Sequence, residues 1–321
     1  MHSIFDTLLG NLLVPTILFF VLGLIAAFAR SDLSIPAGAA KFMSLYLLLA
    51  IGFKGGSSLA TYGLHADMFV TIGIGVALSF VIPFIAFGLL RSMTRLDTMN
   101  AAAVAGHYGS ISIVTFVAAS SLLELTGVAF DGYMIAVAAA MEVPAILSAL
   151  WIANKFSGEG KAGPGLYREL LANGSIVLLV GAFAIGALTG DQGMTMIAPF
   201  VVTPFTGILC LFLLDMGLNA GRSVIANRHL LTTGLFAFGM LMPLIGAILA
   251  WALGAAVGLQ QGSLFLLMVL SASASYIAVP AAMRIALPKA EAGIYLTLSL
   301  GVTFPFNITI GLPVYLWLAQ L

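Results

Sequence analysis

Residues 106–115 read Gly106-His107-Tyr108-Gly109-Ser110-Ile111-Ser112-Ile113-Val114-Thr115, at the middle of an otherwise apolar run over 98–121. A membrane-spanning helix is expected to be most apolar at its centre. Here the centre carries two glycines and three aliphatic hydroxyls. A second run, over 262–284, does the same with Ser271-Ala272-Ser273-Ala274-Ser275-Tyr276-Ile277-Ala278-Val279-Pro280. Its proline lacks a backbone donor and crowds the preceding turn. Irregular backbone at membrane depth survives only where protein buries it or where it lines a cavity. The two runs are therefore read as helices that break near the membrane centre and cross.

The whole chain agrees with a membrane setting. Of 321 residues, 61% are hydrophobic and 7% charged, with twelve Lys+Arg against twelve Asp+Glu. Soluble domains carry roughly 25% charge, so a soluble enzyme, a nucleic-acid binder and a disordered chain are excluded. The 35 glycines point to helices packed closely in lipid or interrupted on purpose. A single cysteine, Cys210, excludes a disulfide framework and a thiolate metal cluster. The four histidines form no ligand motif. Residues 1–10 contain no Lys or Arg, so the first apolar run reads as a retained span, not a cleaved signal.

Ten runs are long enough to span, at 11–29, 39–60, 67–90, 98–121, 132–154, 172–190, 196–220, 230–257, 262–284 and 292–318. They are continuous, which excludes the alternating pattern of a barrel. Eleven of the twelve basic residues fall at odd-numbered connections: Arg30, Lys41, Arg91, Arg95, Lys155, Lys161, Arg168, Arg222, Arg228, Arg284 and Lys289. The positive-inside rule then puts those loops in the cytoplasm and both termini outside. The twelfth, Lys54, lies within span 2.

The second half echoes the first at an offset of 165. Ile51–Leu59 aligns with Met216–Val224, and Gly106–Ala119 with Ser271–Arg284. Met141-Glu142-Val143-Pro144 in span 5 has a counterpart in Thr303-Phe304-Pro305 of span 10. Five spans per half is an odd number, so the halves enter the membrane in opposite senses, as in inverted-repeat transporters. The expected organisation is all-α and polytopic: residues 1–156 as the first five-helix repeat, 157–170 as a cytoplasmic linker, and 171–321 as the second, inverted repeat.

Two broken helices offer sites for both signs of charge. Each second half-helix begins with unpaired N–H groups and a partial positive end, fit for a small anion. Each first half-helix ends in carbonyls that, with nearby hydroxyls, give oxygen ligands for Na+. The anion set is read as Gly109, Ser110, Ile111, Ser112, Ser275 and Tyr276. The Na+ set is read as Thr115, Glu142, Ser271, Ser273, Thr303 and Asn307. Glu142, inside span 5 before Pro144, is costly there unless it completes a cation site, carries a coupled proton or is neutralised by a neighbouring helix. Asp215 and Lys54, in repeat-related spans, either pair with each other, close the ends of the pathway or orient the helices. His107 reads as a hydrogen-bonded packing residue. No cofactor and no transition metal is expected.

Four stretches carry a resemblance: Ile51-Gly52-Phe53-Lys54-Gly55-Gly56, Gly106–Thr115, Met141-Glu142-Val143-Pro144-Ala145, and Ser273–Arg284 ending Val279-Pro280-Ala281-Ala282-Met283-Arg284. The chain resembles the sodium-dependent bicarbonate permeases of cyanobacteria and their bacterial relatives. The resemblance implies ten helices with broken, crossing helices 4 and 9. Helices 1, 2, 6 and 7 would form a scaffold and a homotrimer, and helices 3–5 and 8–10 a mobile core working as an elevator. It also implies a bacterial inner-membrane location, bicarbonate at the crossover, Na+ beside it, and a cytoplasmic PII-like regulator. Two departures stand out. Tyr276 and Val279-Pro280-Ala281 replace an acidic residue and a Gly-Pro-Pro, and Ile113 and Val114 replace small and hydroxyl residues. The loop between spans 5 and 6 is also shorter, which leaves the regulator open.

The function expected is Na+-coupled symport of bicarbonate or a similar small monoanion. A proton-coupled small-carboxylate carrier using Glu142 and an anion channel are the alternatives. An intramembrane enzyme would need His107 and a nearby serine, and no Asp or Glu in that stretch orients them.

Overall fold

The computed structural model describes residues 14–63, 66–157, 174–277, 279–280, 283 and 287–321. Most of the expected linker and Arg284 lie outside the described residues. Among those described, the chain is helical with no strand. The helices are α1 (Pro15–Phe28), α2 (Ala37–Tyr62), α3 (Ala66–Met93), α4 (Thr98–Gly109), α5 (Ile113–Thr126), α6 (Met134–Ala140) and α7 (Glu142–Ser157). They continue as α8 (Gly174–Val201), α9 (Phe205–Asn227), α10 (Thr233–Ala256), α11 (Gln261–Ser271) and α12 (Ala292–Leu318). By length and composition alone, eight helical segments can cross a membrane, with α4–α5 and α6–α7 each counted as one and α8 counted across its turn at Gly190; α1 and α11 are shorter apolar helices. Exposed Leu22, Ile25, Phe69, Trp151, Leu188 and Ile248 give the outside the apolar surface that lipid covers.

Helix ends follow local chemistry. Asp97 accepts from the Asn100 amide at the start of α4, and Thr232 accepts from the Leu235 amide at the start of α10. Gly127 closes α5 in the left-handed conformation (φ 70°). Prolines explain the interior irregularities. Pro144 has no N–H for the Ala140 carbonyl and crowds it, so span 5 parts at Met141 between α6 and α7. Around Pro305, α12 carries π-helical turns at Thr297–Thr303 and Asn307–Gly311, the kind of distortion found at functional sites.

The connection expected at 191–195 is displaced. Helical structure continues to Val201, and the next helix starts at Phe205. Gly190 (φ 54°, ψ −143°) turns the chain within α8. Beside that turn Asp191 accepts from the Thr61 hydroxyl (2.9 Å), and farther on the Phe200 carbonyl accepts from the Tyr46 hydroxyl (2.6 Å). The segment after Gly190 thus folds back along α2.

Two helix pairs meet backbone to backbone. Gly52 and Gly56 of α2 face the Leu179 and Phe183 carbonyls of α8, and Gly186 of α8 faces the Phe53 carbonyl. Gly217 and Gly221 of α9 face Phe20, Leu24 and Ala27 of α1, and Gly23 faces the Leu214 carbonyl. Gly52/Gly56 and Gly217/Gly221 are the positions that the 165-residue offset aligns. Small residues four apart permit such close approach in membranes. A Cβ at Gly56 meets the Phe183 backbone, whereas one at Gly73 meets nothing. Gly56→Ala is expected to cost about 1–3 kcal/mol through overpacking. Gly73→Ala is expected to add roughly 0.5–1 kcal/mol through helix propensity. Thermal unfolding of the detergent-solubilised variants checks both signs.

Candidate functional site

The break in span 4 is short. α4 ends at Gly109, Ser110 is extended (φ −91°, ψ 163°), and α5 begins at Ile113 with Ser112 as its N-cap. The Ser112 hydroxyl oxygen accepts from the Thr115 amide (3.3 Å) and from the Thr115 hydroxyl (2.9 Å). In span 9, α11 ends at Ser271 and residues 273–275 are non-helical. There the Val279 amide reaches the Ser275 hydroxyl at 3.4 Å. The two breaks touch: the Ser275 amide donates to the His107 carbonyl at 2.8 Å. An end carbonyl of one interrupted helix is thus satisfied by the other.

A cleft of about 430 Å³, its open mouth included, lies at this crossing. Ile111, Ser112 and Ile113 line it from span 4, and Ser275, Tyr276 and Ile277 from span 9. Ala138, Ala139 and Glu142 come from span 5, and Leu48 of α2 with Leu179 of α8 closes the far wall. The lining is mostly apolar with few polar groups, as in small-ligand sites. The Glu142 carboxylate is buried and accepts from the Ser110 hydroxyl at 2.6 Å. Proline-broken span 5 therefore delivers its acid to the crossover. The Tyr276 hydroxyl is directed at Ser112 without closing a hydrogen bond of normal geometry and has no other partner.

Of the residues read as an anion set, Ile111, Ser112, Ser275 and Tyr276 line the cleft, and Ser110 reaches it through Glu142. Gly109 packs instead against Pro83 and the Ser79 carbonyl, where a Cβ has no room. The residues read as a Na+ set are spread more widely. Thr115 is bonded to Ser112, and the Ser273 hydroxyl donates back to the Val269 carbonyl (2.6 Å). The Thr303 hydroxyl donates to the Gly239 carbonyl (2.7 Å), which Pro243, four residues on, leaves without its helical donor. With its proton so placed, Thr303 accepts from the Tyr108 hydroxyl. Asn307 donates to the Ala272 carbonyl (2.8 Å) at the end of α11 and accepts from Tyr315 (2.9 Å). Ser271 is buried with its hydroxyl unpartnered. Among the described residues, no group of three or more His, Cys, Asp or Glu side chains is placed to hold a metal ion.

Other side chains differ from the sequence reading. Lys54 does not pair with Asp215; it forms an ion pair with Glu124, and Asp215 accepts from Asn219 (3.0 Å). The sequence reading gave Glu124 no role, although an acid at the end of an apolar run is the natural counter-ion for a lysine within a neighbouring span. It also passed over Tyr108, which stands beside His107 in the quoted stretch. His107 is a packing residue: its Nδ1–H donates to the Ala103 carbonyl (2.7 Å) and its ring stacks on Tyr295 at 4.3 Å. No periodicity marked Leu48 or Leu179, whose part is steric.

A family model described as the Na+-dependent bicarbonate transporter superfamily matches residues 15–320. The chain belongs to that superfamily. It is a multi-pass membrane protein and a transporter, not an enzyme. No curated protein matches it.

Asn307 and Ser271 make a contrasting pair. Asn307→Ala strips the Ala272 carbonyl and the Tyr315 hydroxyl of their partner, at about 1–3 kcal/mol for each buried group left unmade. Ser271→Ala removes a hydroxyl with no partner and is expected to leave the unfolding temperature unchanged or higher. Any loss of Na+ response in Ser271→Ala then reports ligand binding.

Proposed function

We propose that this transporter carries bicarbonate, or a similar small monoanion, together with Na+, and that Glu142 is the residue through which the two are coupled. The observation that carries the reading is the position of Glu142 in the same cleft as Ser112, Ser275 and Tyr276. A carboxylate repels a bare anion 4 Å away by about 4 kcal/mol in a partly buried setting. The anion is therefore held only when a cation or proton neutralises Glu142. Each ligand then binds better in the presence of the other, which is the thermodynamic requirement for coupling. First-turn amides of α5, Ser112 and Ser275 supply hydrogen bonds to the anion. Ser110 steadies the carboxylate, and Thr115, Ser271, Ser273, Thr303 and Asn307 remain the surrounding oxygen groups from which Na+ ligands are drawn.

The proposed movement is of the elevator kind, with ten spans in two inverted repeats. The glycine-packed pairs α1–α9 and α2–α8 make the scaffold (helices 1, 2, 7 and 6), and spans 3–5 and 8–10 make the moving core. The cleft supports this division, because its walls come from both parts: Leu48 and Leu179 on one side, the crossing breaks on the other. Exposed apolar residues on α8, such as Leu188 and Met196, suit a homotrimer built on the scaffold. The proposed location is a bacterial inner membrane, on the strength of the family resemblance, with both termini outside, on the strength of the basic residues at the odd-numbered connections. A cytoplasmic PII-like regulator is part of the same proposal and rests on the family resemblance alone.

Labelled bicarbonate uptake into proteoliposomes at alkaline pH, with empty liposomes subtracting CO2 exchange, tests the function. Uptake is expected to require an inward Na+ gradient in the wild type. Glu142→Gln mimics the neutralised state and is expected to bind anion with its Na+ dependence lost. Unaltered Na+ activation in Glu142→Gln moves the coupling to the Ser271–Asn307 region. Uptake driven by a proton gradient in place of Na+ replaces symport with Na+ by proton coupling at the same carboxylate.

A further inference from the structure

A second and roomier cavity, of about 530 Å³ with its mouth included, has no part in the reading above. Lys54 and Ser58 line it from α2, Ser120 and Glu124 from α5, with Phe116 and Ile135 among its apolar walls. Its position relative to the crossover cleft is orderly. On α2 the cleft takes Leu48 and this cavity takes residues 51–58; on span 4 the cleft takes 111–113 and the cavity 116–124. On α6, which runs the other way, the cleft takes Ala138 and Ala139 and the cavity takes Ile135. All three elements step in one direction, so the two chambers lie end to end along a single interface. Lys54 is six residues beyond Leu48, which is ~9 Å along the helix. In the orientation proposed above, the second chamber is the outer one.

Stability does not account for Lys54. A lysine within a span costs about 2.5–3.5 kcal/mol at the membrane centre. Its ion pair with Glu124 is open, the two side chains being 23% and 42% exposed, and open pairs contribute roughly 0–1 kcal/mol. The ammonium also lies 4.9 Å from the centre of the Phe205 ring. What the arrangement does offer is a positive donor and a negative acceptor side by side on the cavity, with the Ser58 and Ser120 hydroxyls beside them.

We propose that this chamber is a reception site for hydrogen carbonate on its way to the crossover, with Lys54 holding the oxyanion and Glu124 accepting its O–H. The inference rests on the transport reading above. The chemistry is selective. Hydrogen carbonate is at once an anion and a hydrogen-bond donor, so it satisfies both members of the pair. Chloride and nitrate have no O–H, and toward them Glu124 is only repulsive, a penalty aimed at the wrong ligand. The chamber therefore sorts anions before the crossover meets them.

The test is labelled bicarbonate uptake under a fixed inward Na+ gradient, with nitrate as competitor. Lys54→Gln is expected to raise KM about tenfold or more, the loss of one charge-assisted hydrogen bond, with half-activation by Na+ unmoved. Lys54→Arg is expected to restore KM. Glu124→Gln is expected to make uptake sensitive to nitrate at concentrations the wild type ignores. A folded Lys54→Gln protein with wild-type KM overturns the proposal. So does equal loss of maximal rate in Lys54→Gln and Glu124→Gln with KM unchanged, which marks a mere tie between α2 and α5. If Lys54→Gln does not fold, continued indifference of Glu124→Gln to nitrate overturns it alone. A transport-free reading uses Phe130→Trp, whose emission reports the cavity it lines. Bicarbonate is expected to shift that emission with Lys54 present and not in the Lys54→Gln background. No shift in either overturns the site even where uptake is normal, and a shift without Na+-driven uptake overturns the transport reading and leaves the site standing.

Discussion

The hydrogen bond from the Ser275 amide to the His107 carbonyl is what lets two interrupted helices exist side by side in a membrane. In hydrocarbon, each backbone group left without a partner costs several kcal/mol. Breaking one helix exposes such groups, and breaking two in register lets each repair part of the other. Side chains complete the repair: Ser112 caps α5, Asn307 takes the Ala272 carbonyl, and Thr303 takes the carbonyl that Pro243 leaves free at Gly239. Against that background the exceptions carry meaning. Among the described residues, the Ser271, Tyr276 and Ser299 hydroxyls and His107 Nε2 are buried without a hydrogen-bond partner, and of these Tyr276 lines the cleft. The cleft thus presents the Tyr276 hydroxyl with its bonding still open to a ligand.

The same constraint divides the molecule. Glycines let α2 meet α8 and α1 meet α9 at backbone distance. Where prolines and serines interrupt the helices, the chain lines cavities. Both cavities take walls from both parts, and each carries charge: Glu142 in the cleft, Lys54 with Glu124 in the second cavity; Asp215, also inside a span, lines neither and accepts from Asn219 instead.

Much of this was legible in the sequence, because lipid enforces simple rules. Eight of the expected runs coincide with helical segments long and apolar enough to span, while α1 and α11 are shorter, and the breaks followed from Gly, Ser and Pro at places where leucine is expected. The aligned Gly52/Gly56 and Gly217/Gly221 were visible as a repeat, and the structure gives them matching work. What the sequence could not supply was partnership across space. Nothing local links Ser110 to Glu142 across 32 positions or Tyr108 to Thr303 across 195. Thr303 reads as a free hydroxyl until its acceptor, Gly239, is seen beneath Pro243. The expected end of span 6 at residue 190 meets the turn at Gly190 (φ 54°), but helix resumes directly after it and runs to Val201, so the expected connection at 191–195 is helical.

The central claim is that the crossing breaks hold an anion and a cation that need each other. Cys210 is the only cysteine in the sequence, so Cys210→Ser provides a background in which Ser112→Cys reports on the cleft alone. The rate at which a small thiol reagent labels that position, measured with Na+, with bicarbonate, and with both, is the most direct test. The account predicts strong protection by the two together and little by either alone. Labelling that neither ligand changes, separately or together, would place the transported ions elsewhere and contradict it.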